Sequence, residues 1–170
     1  FGNKQIRFLA VALDQLEFLK KERGGLTDLP PVQQRVVLLH GPGGAGKSEV
    51  LSIVHEVSER SFGQDSHMFM ASSNSAAAGI GGDTVHSCTN MNQHQKFTPS
   101  SFDFDPTTPA GRALVDKWAD VAVLVIDEIS MVSPSMLAGL SYRVCCAREA
   151  QGADKNFYAL PGEAFGRVPV

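Results

Sequence analysis

The feature that most constrains the fold of this 170-residue chain is a glycine-rich stretch from Gly41 to Ser48. It reads GPGGAGKS and fits the spacing G-x-x-x-x-G-K-S/T, which is typical of loops that wrap a phosphate group. Glycines let the backbone turn until successive N–H groups point at phosphate oxygens, and a following helix presents its positive N-terminal end. The apolar run at 36–39 and the helical pattern after Lys47 supply this context, so a chance glycine-rich turn is disfavoured.

Two side chains of this loop have candidate chemical roles. Lys47 is predicted to reach the β- and γ-phosphates of a bound nucleotide, and the Ser48 hydroxyl is predicted to bind Mg²⁺. The other loop residues would contact the phosphates mainly through their backbone. The predicted nucleotide-binding residues of the loop are Gly41, Pro42, Gly43, Gly44, Ala45, Gly46, Lys47 and Ser48.

The pattern of apolar residues along the chain alternates between helix and strand. Period-3.6 patterns predict helices and short continuous apolar runs predict buried strands. In order, we expect a helix at 4–21, a strand at 35–39, a helix at 47–60, a strand at 68–71, a polar loop at 89–108, a helix at 109–118, a strand at 121–126 and a helix from Ser133. This alternation is typical of an α/β fold, an open parallel sheet with helices on both faces.

The strongest predicted strand ends in two acids, Asp127 and Glu128. Ligands of open α/β sheets bind beyond the carboxyl ends of the strands, so these acids and the glycine-rich loop can share one site. Asp127 is predicted to hold Mg²⁺, and Glu128 to act with Lys47 in catalysis by polarising the attacking water. A catalytic Glu next to the Asp that holds Mg²⁺ favours hydrolysis by water, as in ATP-driven motors. The chain carries neither the N-K-x-D motif of guanine-nucleotide switches after the loop nor an LSGGQ-like transporter signature.

Composition excludes several other classes of protein. A net charge of −3 indicates no overall basic surface, so nucleic acid would have to bind a local patch. The three cysteines contain no C-x-x-C, and the histidines at 40, 55, 67 and 94 show no metal-ligand spacing. No apolar stretch approaches the roughly twenty residues of a membrane span, and no signal peptide is visible, so we expect an intracellular protein without a membrane partner.

Three segments together resemble the PIF-type DNA helicases of superfamily one, which are ATP-driven motors that move five-prime to three-prime on single-stranded DNA. They are GPGGAGKS, the run from Gly81 to Ser87 that reads GGDTVHS, and the run from Val125 to Met131 that reads VIDEISM. Between the first two, Ala71, Ala76 and Ala77 also fit the family, whereas Ser73 and Asn74 stand where it has Thr and Gly.

The resemblance implies a P-loop NTPase with a RecA-like sheet, ATP and Mg²⁺ as cofactors, and single-stranded DNA as the partner of the full-length protein. It also implies roles in DNA repair, recombination and telomere maintenance, in the nucleus or mitochondrion of a eukaryote or the cytoplasm of a bacterium. Asn74, Thr84 and His86 become DNA-contact candidates. Gln5 resembles the adenine-reading glutamine of the family, and the Ala164-Phe165-Gly166 run resembles its Phe-Gly-Gly.

The family pattern continues with a G-D-x-x-Q-L motif and a second motor domain, neither of which is in this sequence. We therefore expect residues 1–170 to be a partial RecA-like motor domain, with a helix and turn at 1–30 and a truncated ATPase core at 35–170. Its sheet would lack a central strand, which would begin near 166–170. We expect the isolated piece to be unstable or inactive.

Two alternatives remain open at the level of sequence. The chain could be another hydrolytic P-loop ATPase, such as a hexameric AAA-type motor, or a non-catalytic nucleotide-binding remnant. The intact Lys47, Ser48, Asp127 and Glu128 argue against the remnant. Aromatic residues offer a further choice, since Phe97, Phe102, Phe104 and Trp118 could stack on bases, although core packing is the preferred interpretation for Trp118.

Overall fold

The structure is a computed structural model that describes residues 2–24, 35–92, 105–150, 164–168 and 170. These residues form six α-helices and three strands. In chain order they are α1 Asn3–Arg23, α2 Lys47–Phe62, β1 His67–Ala71, α3 Asn74–Gly79, β2 Asp83–Thr84, α4 Val85–Thr89, α5 Pro109–Ala119, β3 Val123–Asp127 and α6 Pro134–Glu149. Short 3-10 turns occupy Gln64–Ser66, Ile129–Met131 and Ala164–Arg167.

The three strands form one parallel sheet in the order β2-β1-β3. In its register Ala71, at the end of β1, pairs with Thr84 of β2 on one side and with Asp127 of β3 on the other. The carboxyl ends of all three strands therefore meet at one edge. The predicted α/β class with a parallel sheet is confirmed, and its strand order requires crossover connections.

Helices cover both faces of this sheet, as predicted. On one face Met70 and Leu124 pack in a core with Trp118 of α5 and Leu140 of α6, all of them inaccessible to solvent. On the other face Val123 packs with Leu16 of α1 and Val54 of α2. Alternate residues of each strand point to opposite faces, so apolar residues at consecutive positions supply both cores.

Two helices begin at the residues that the sequence indicates. The Ser133 hydroxyl accepts a hydrogen bond from the N–H of Met136 at 3.2 Å, and Pro134 is the first residue of α6. Thr108 caps α5 in the same way, accepting from the N–H of Gly111 at 3.1 Å ahead of Pro109. Each cap contributes about 1 kcal/mol of stability. Proline is favourable at the first position because the N–H it lacks would have no acceptor within the helix.

The predicted strand at 35–39 is wrong, because residues 35–40 form no strand in the structure. Instead the N–H of Val37 donates to the carbonyl of Val170 at 2.8 Å, and the N–H of Val170 donates to the carbonyl of Arg35 at 3.1 Å. This pair of bonds has the pattern of parallel strands. A single paired residue does not extend into a ladder, although the apolar run itself is correctly located.

An apolar groove separates this segment from β3. Its walls are mainly hydrophobic side chains of α1, α2, β3 and the two paired chain segments, among them Leu16, Val37, Val54, Val123 and Val170. The segment that leads into the glycine-rich loop and the strand that ends at Asp127 therefore flank the same groove.

Several sequence expectations differ from the structure or lie outside it. The short elements α3, β2 and α4 were not predicted, because runs of two to six residues contain too few positions to show a period. The turn at Pro30 and the aromatic residues Phe97, Phe102 and Phe104 lie outside the described residues. None of the helices in the described ranges is long and apolar enough to cross a membrane.

Candidate functional site

The glycine-rich loop owes its shape to two glycines with positive φ. Gly44 has φ of 74° and Gly46 has φ of 72°, in the left-handed region that side chains rarely adopt. Gly46 directly precedes α2, and its carbonyl accepts the N–H of Val50 at 3.3 Å. Lys47 and Ser48 are thus the first two residues of α2, where unpaired backbone N–H groups favour an anion.

The Lys47 side chain folds back across the loop. Its Nζ donates to the carbonyl of Gly41 at 3.0 Å and to that of Pro42 at 3.1 Å. An ammonium has three N–H donors, so these two bonds leave one donor for another acceptor. A bound phosphate would replace the carbonyls with charged oxygens, which form the stronger hydrogen bonds. Ser48 beside it is exposed, so its hydroxyl is accessible.

The structure brings Gln5 of α1 to this loop. Its Nε2 donates to the carbonyl of Ala45 at 2.8 Å, and its Oε1 accepts from the N–H of Gly2 at 2.6 Å. A Cβ on Gly46 would lie 2.7 Å from the same Nε2, so a side chain there would displace the Gln5 amide. Gln5 therefore connects α1 to the loop; its contact with adenine stays a prediction.

The two acids at the end of β3 have contrasting environments. Asp127 is half-buried, and its Oδ1 accepts a hydrogen bond from the N–H of Glu128 at 2.8 Å. Glu128 is exposed and has φ of 50°, a conformation that costs a non-glycine residue about 1 kcal/mol or more. Backbone strain of this kind is concentrated at functional sites. Nothing in the sequence indicates that Glu128 adopts this left-handed conformation.

Within the described residues, no hydrogen bond or ion pair joins Lys47 or Ser48 to Asp127 or Glu128. The segment that leads into the loop and the strand that ends at Asp127 line the same apolar groove. The loop and the acids each present donors or ligands of the predicted kind. Hard oxygen ligands such as a serine hydroxyl and a carboxylate suit Mg²⁺, so this donor set fits the ion.

The three DNA-contact candidates differ in accessibility. Asn74 is exposed at the start of α3, directly after the carboxyl end of β1. Thr84 is only 8% exposed, and its hydroxyl accepts from the N–H of Ser87 at 3.2 Å, so it caps α4. Burial lowers the pKa of His86, which favours the neutral imidazole and disfavours a cationic contact with phosphate. Contact of all three with DNA stays a prediction.

Other residues singled out by the sequence prove to be structural. Trp118 is inaccessible to solvent, and its indole N–H donates to the carbonyl of Cys88 at 3.1 Å, so core packing is confirmed and base stacking is excluded. Burial raises the pKa of the Cys88 thiol to about 11, which keeps it protonated. Phe165 is buried, and its N–H donates to the Ser141 hydroxyl at 2.9 Å.

Comparison with known proteins gives consistent relatives. The model of a family described as an AAA domain matches residues 27–151. The ATP-dependent DNA helicase RRM3 of Saccharomyces cerevisiae is 28% identical over 156 residues, which are 89% of this chain and 21% of the helicase. The resemblance to PIF-type helicases is thereby confirmed.

Solved structures share the fold. A structure of two coordinating Pif1 helicases at forked duplex DNA matches all of this chain and 32% of its own, with a TM-score of 0.67 and 21% identity. Pif1 from Bacteroides in complex with ADP-AlF3 and single-stranded DNA matches 94% of this chain and 30% of its own, with a TM-score of 0.60 and 23% identity. The chain thus spans about a fifth of the length of its curated relative and a third or less of these solved chains.

Proposed function

The chain belongs to the AAA domain family, and on that premise we propose that it is part of the first motor domain of an ATP-dependent DNA helicase of the PIF type. One observation carries the proposal. A glycine-rich loop with the phosphate-binding sequence opens α2, β3 ends at Asp127 with Glu128 next, and the segment leading into the loop lines one groove together with β3.

The proposed chemistry is hydrolysis of ATP. Lys47 would exchange its carbonyl partners for phosphate oxygens and stabilise the charge that develops on the transferred phosphoryl group. Glu128, exposed at the strand end, would orient the attacking water and accept its proton. Ser48 and Asp127 would hold Mg²⁺, which neutralises phosphate charge when bound. Gln5 would contact the adenine from the far side of the loop.

The proposed partner of the protein that carries this chain is single-stranded DNA. The Bacteroides relative is solved with single-stranded DNA and ADP-AlF3, and another relative with forked duplex DNA. The net charge of −3 confines such a contact to a local surface, and the exposed Asn74 beside the carboxyl edge of the sheet is the most accessible candidate. A DNA motor of this kind would work inside the cell, in whichever compartment holds its DNA.

The experiment is the change Lys47→Ala in the full-length protein. ATP turnover in the presence of single-stranded DNA should fall at least about 100-fold, the size of effect seen when a donor to transition-state charge is removed. The control is Lys21→Ala, because Lys21 is an exposed α1 residue in a surface ion pair with Glu17. Unchanged turnover in Lys47→Ala would overturn the assignment, and turnover that DNA does not stimulate would favour an AAA-type motor.

A further inference from the structure

A cluster of three potential metal ligands lies outside the nucleotide site. His55 and Glu59 are four residues apart on α2 and so lie on the same face of that helix, while His67 is the first residue of β1. One ligand atom from each residue can be chosen so that all three lie within 4.8 Å of one another. His55 Nε2 lies 3.9 Å from Glu59 Oε1.

Aromatic packing holds the two imidazoles in place. Their ring centroids are 4.1 Å apart with an angle of 73° between the planes. The ring of Phe69, a buried residue of β1, lies 5.4 Å from that of His55 and 5.3 Å from that of His67. The His67 ring is edge-to-face with both the His55 ring and the Phe69 ring, so packing around the buried Phe69 keeps the two imidazoles next to each other.

One nitrogen of the cluster lacks a partner. Nδ1 of His67 is buried and forms no hydrogen bond with any described residue. A buried polar atom without a partner destabilises the folded protein by about 1–3 kcal/mol. A ligand that pairs with this nitrogen would therefore bind favourably.

We propose that His55, Glu59 and His67 bind a divalent transition-metal ion, with Zn²⁺ the best match. Two imidazoles and one carboxylate suit Zn²⁺ better than Mg²⁺ or Ca²⁺, which prefer all-oxygen sites. Tetrahedral Zn²⁺ with ligand bonds near 2.0–2.1 Å holds its ligand atoms about 3.3 Å apart. The side chains of His55 and Glu59 are 40% and 36% exposed, which leaves them room to rotate inward by the remaining distance.

The ion would connect α2 to the sheet without joining the nucleotide site. His55 is seven residues beyond Ser48, about 10.5 Å along the helix axis, and both line the same pocket together with Ser52 and Phe69. The zinc site and the proposed Mg²⁺ site therefore use different ligands on one helix. Binding would join the second half of α2 to the first residue of β1.

The test uses Co²⁺ as a spectroscopic substitute for Zn²⁺ in the full-length protein, stripped of metal and free of nucleotide. We expect one Co²⁺ per chain, the intense visible absorption of a four-coordinate ion, and displacement by an equivalent of Zn²⁺. His55→Gln and His67→Gln should each weaken Co²⁺ binding at least about 10-fold. Glu56→Gln is the matched control, since Glu56 lies on α2 in an exposed pair with Arg60; its binding should be unchanged.

Failure of the metal-site proposal can be distinguished from failure of the proposed ATPase function. Asp127→Asn should leave the cobalt spectrum intact, because Asp127 belongs to the other site, and the readout needs no ATP hydrolysis. If His67→Gln fails to fold, His55→Gln decides, since that side chain is 40% exposed. Absence of four-coordinate absorption, or equal Co²⁺ binding by His55→Gln and Glu56→Gln in folded protein, would overturn the proposal.

Discussion

At the scale of single residues, a family-like motif combines functional and structural requirements. Gly82 fits the G-x-T-x-H-S pattern, yet a Cβ at this position would lie 2.3 Å from the carbonyl oxygen of Phe69 in β1. Thr84 in the same motif caps α4 with its hydroxyl. Both residue types are thus required by packing and capping, whatever the segment does with DNA.

The clash at Gly82 leads to a prediction. Gly82→Ala should destabilise the domain by about 2–3 kcal/mol, because the colliding atoms belong to backbone and cannot rotate away. Gly79→Ala is the control, since a Cβ there meets nothing within 4 Å and Gly79 ends helix α3. Urea unfolding of the two variants measures the difference. Equal midpoints would show that the β1–Gly82 contact is not as close as described.

At the scale of elements, α6 is anchored by two buried arginines. The Arg143 guanidinium donates to the carbonyls of Thr89 and Asn90 at 2.8 and 3.0 Å, at the end of α4. That of Arg148 donates to the carbonyls of Trp118 and Val121 at 3.3 and 3.0 Å, between α5 and β3. These bonds satisfy carbonyls at connections where no ladder or helix supplies a donor.

Removing one anchor should therefore be costly. Arg148→Met keeps the length of the side chain but leaves two carbonyls without their donor, so we expect a loss of about 2–4 kcal/mol in the free energy of unfolding. Arg60→Met is the matched control, because Arg60 lies at the end of α2 in an ion pair with a 76% exposed side chain. Its effect should stay within about 0.5 kcal/mol. Equal losses in both variants would contradict the anchoring role.

The elements that the sequence predicted best are those with a long period or a clear cap. Both α5 and α6 begin at the predicted proline, and α2 begins at the predicted Lys47. The segment at 35–39 was misassigned for a physical reason. Its apolar character indicates burial, but a strand also needs neighbours along its length, and among the described residues only Val170 pairs with it.

At the scale of the whole molecule, the P-loop side of the sheet is less complete than the β1–β3 side. Val36 is 65% exposed and Leu38 is 73% exposed, in a segment whose apolar run suits a strand covered on both faces. The apolar groove lies directly beside it. The relatives with this fold are about three times longer than the matched region.

We accordingly expect residues 1–170 on their own to show little ATP turnover and no cooperative thermal unfolding. A longer protein that contains the chain should show both, because further chain can cover Val36 and Leu38. Differential scanning calorimetry and a phosphate-release assay on the two proteins make the comparison. Cooperative unfolding with robust turnover in residues 1–170 would contradict this expectation.

What the sequence determined by itself is the chemistry that is contiguous along the chain. The phosphate loop needs neighbouring glycines and the lysine that follows them, so eight consecutive residues are enough to predict it. An apolar run followed directly by two acids likewise predicts a buried strand that ends at the site. Only the tertiary structure brought Gln5 to Ala45, and His67 to His55 and Glu59. Those meetings depend on how helices dock on the sheet, and docking is set by long-range packing that no local spacing records.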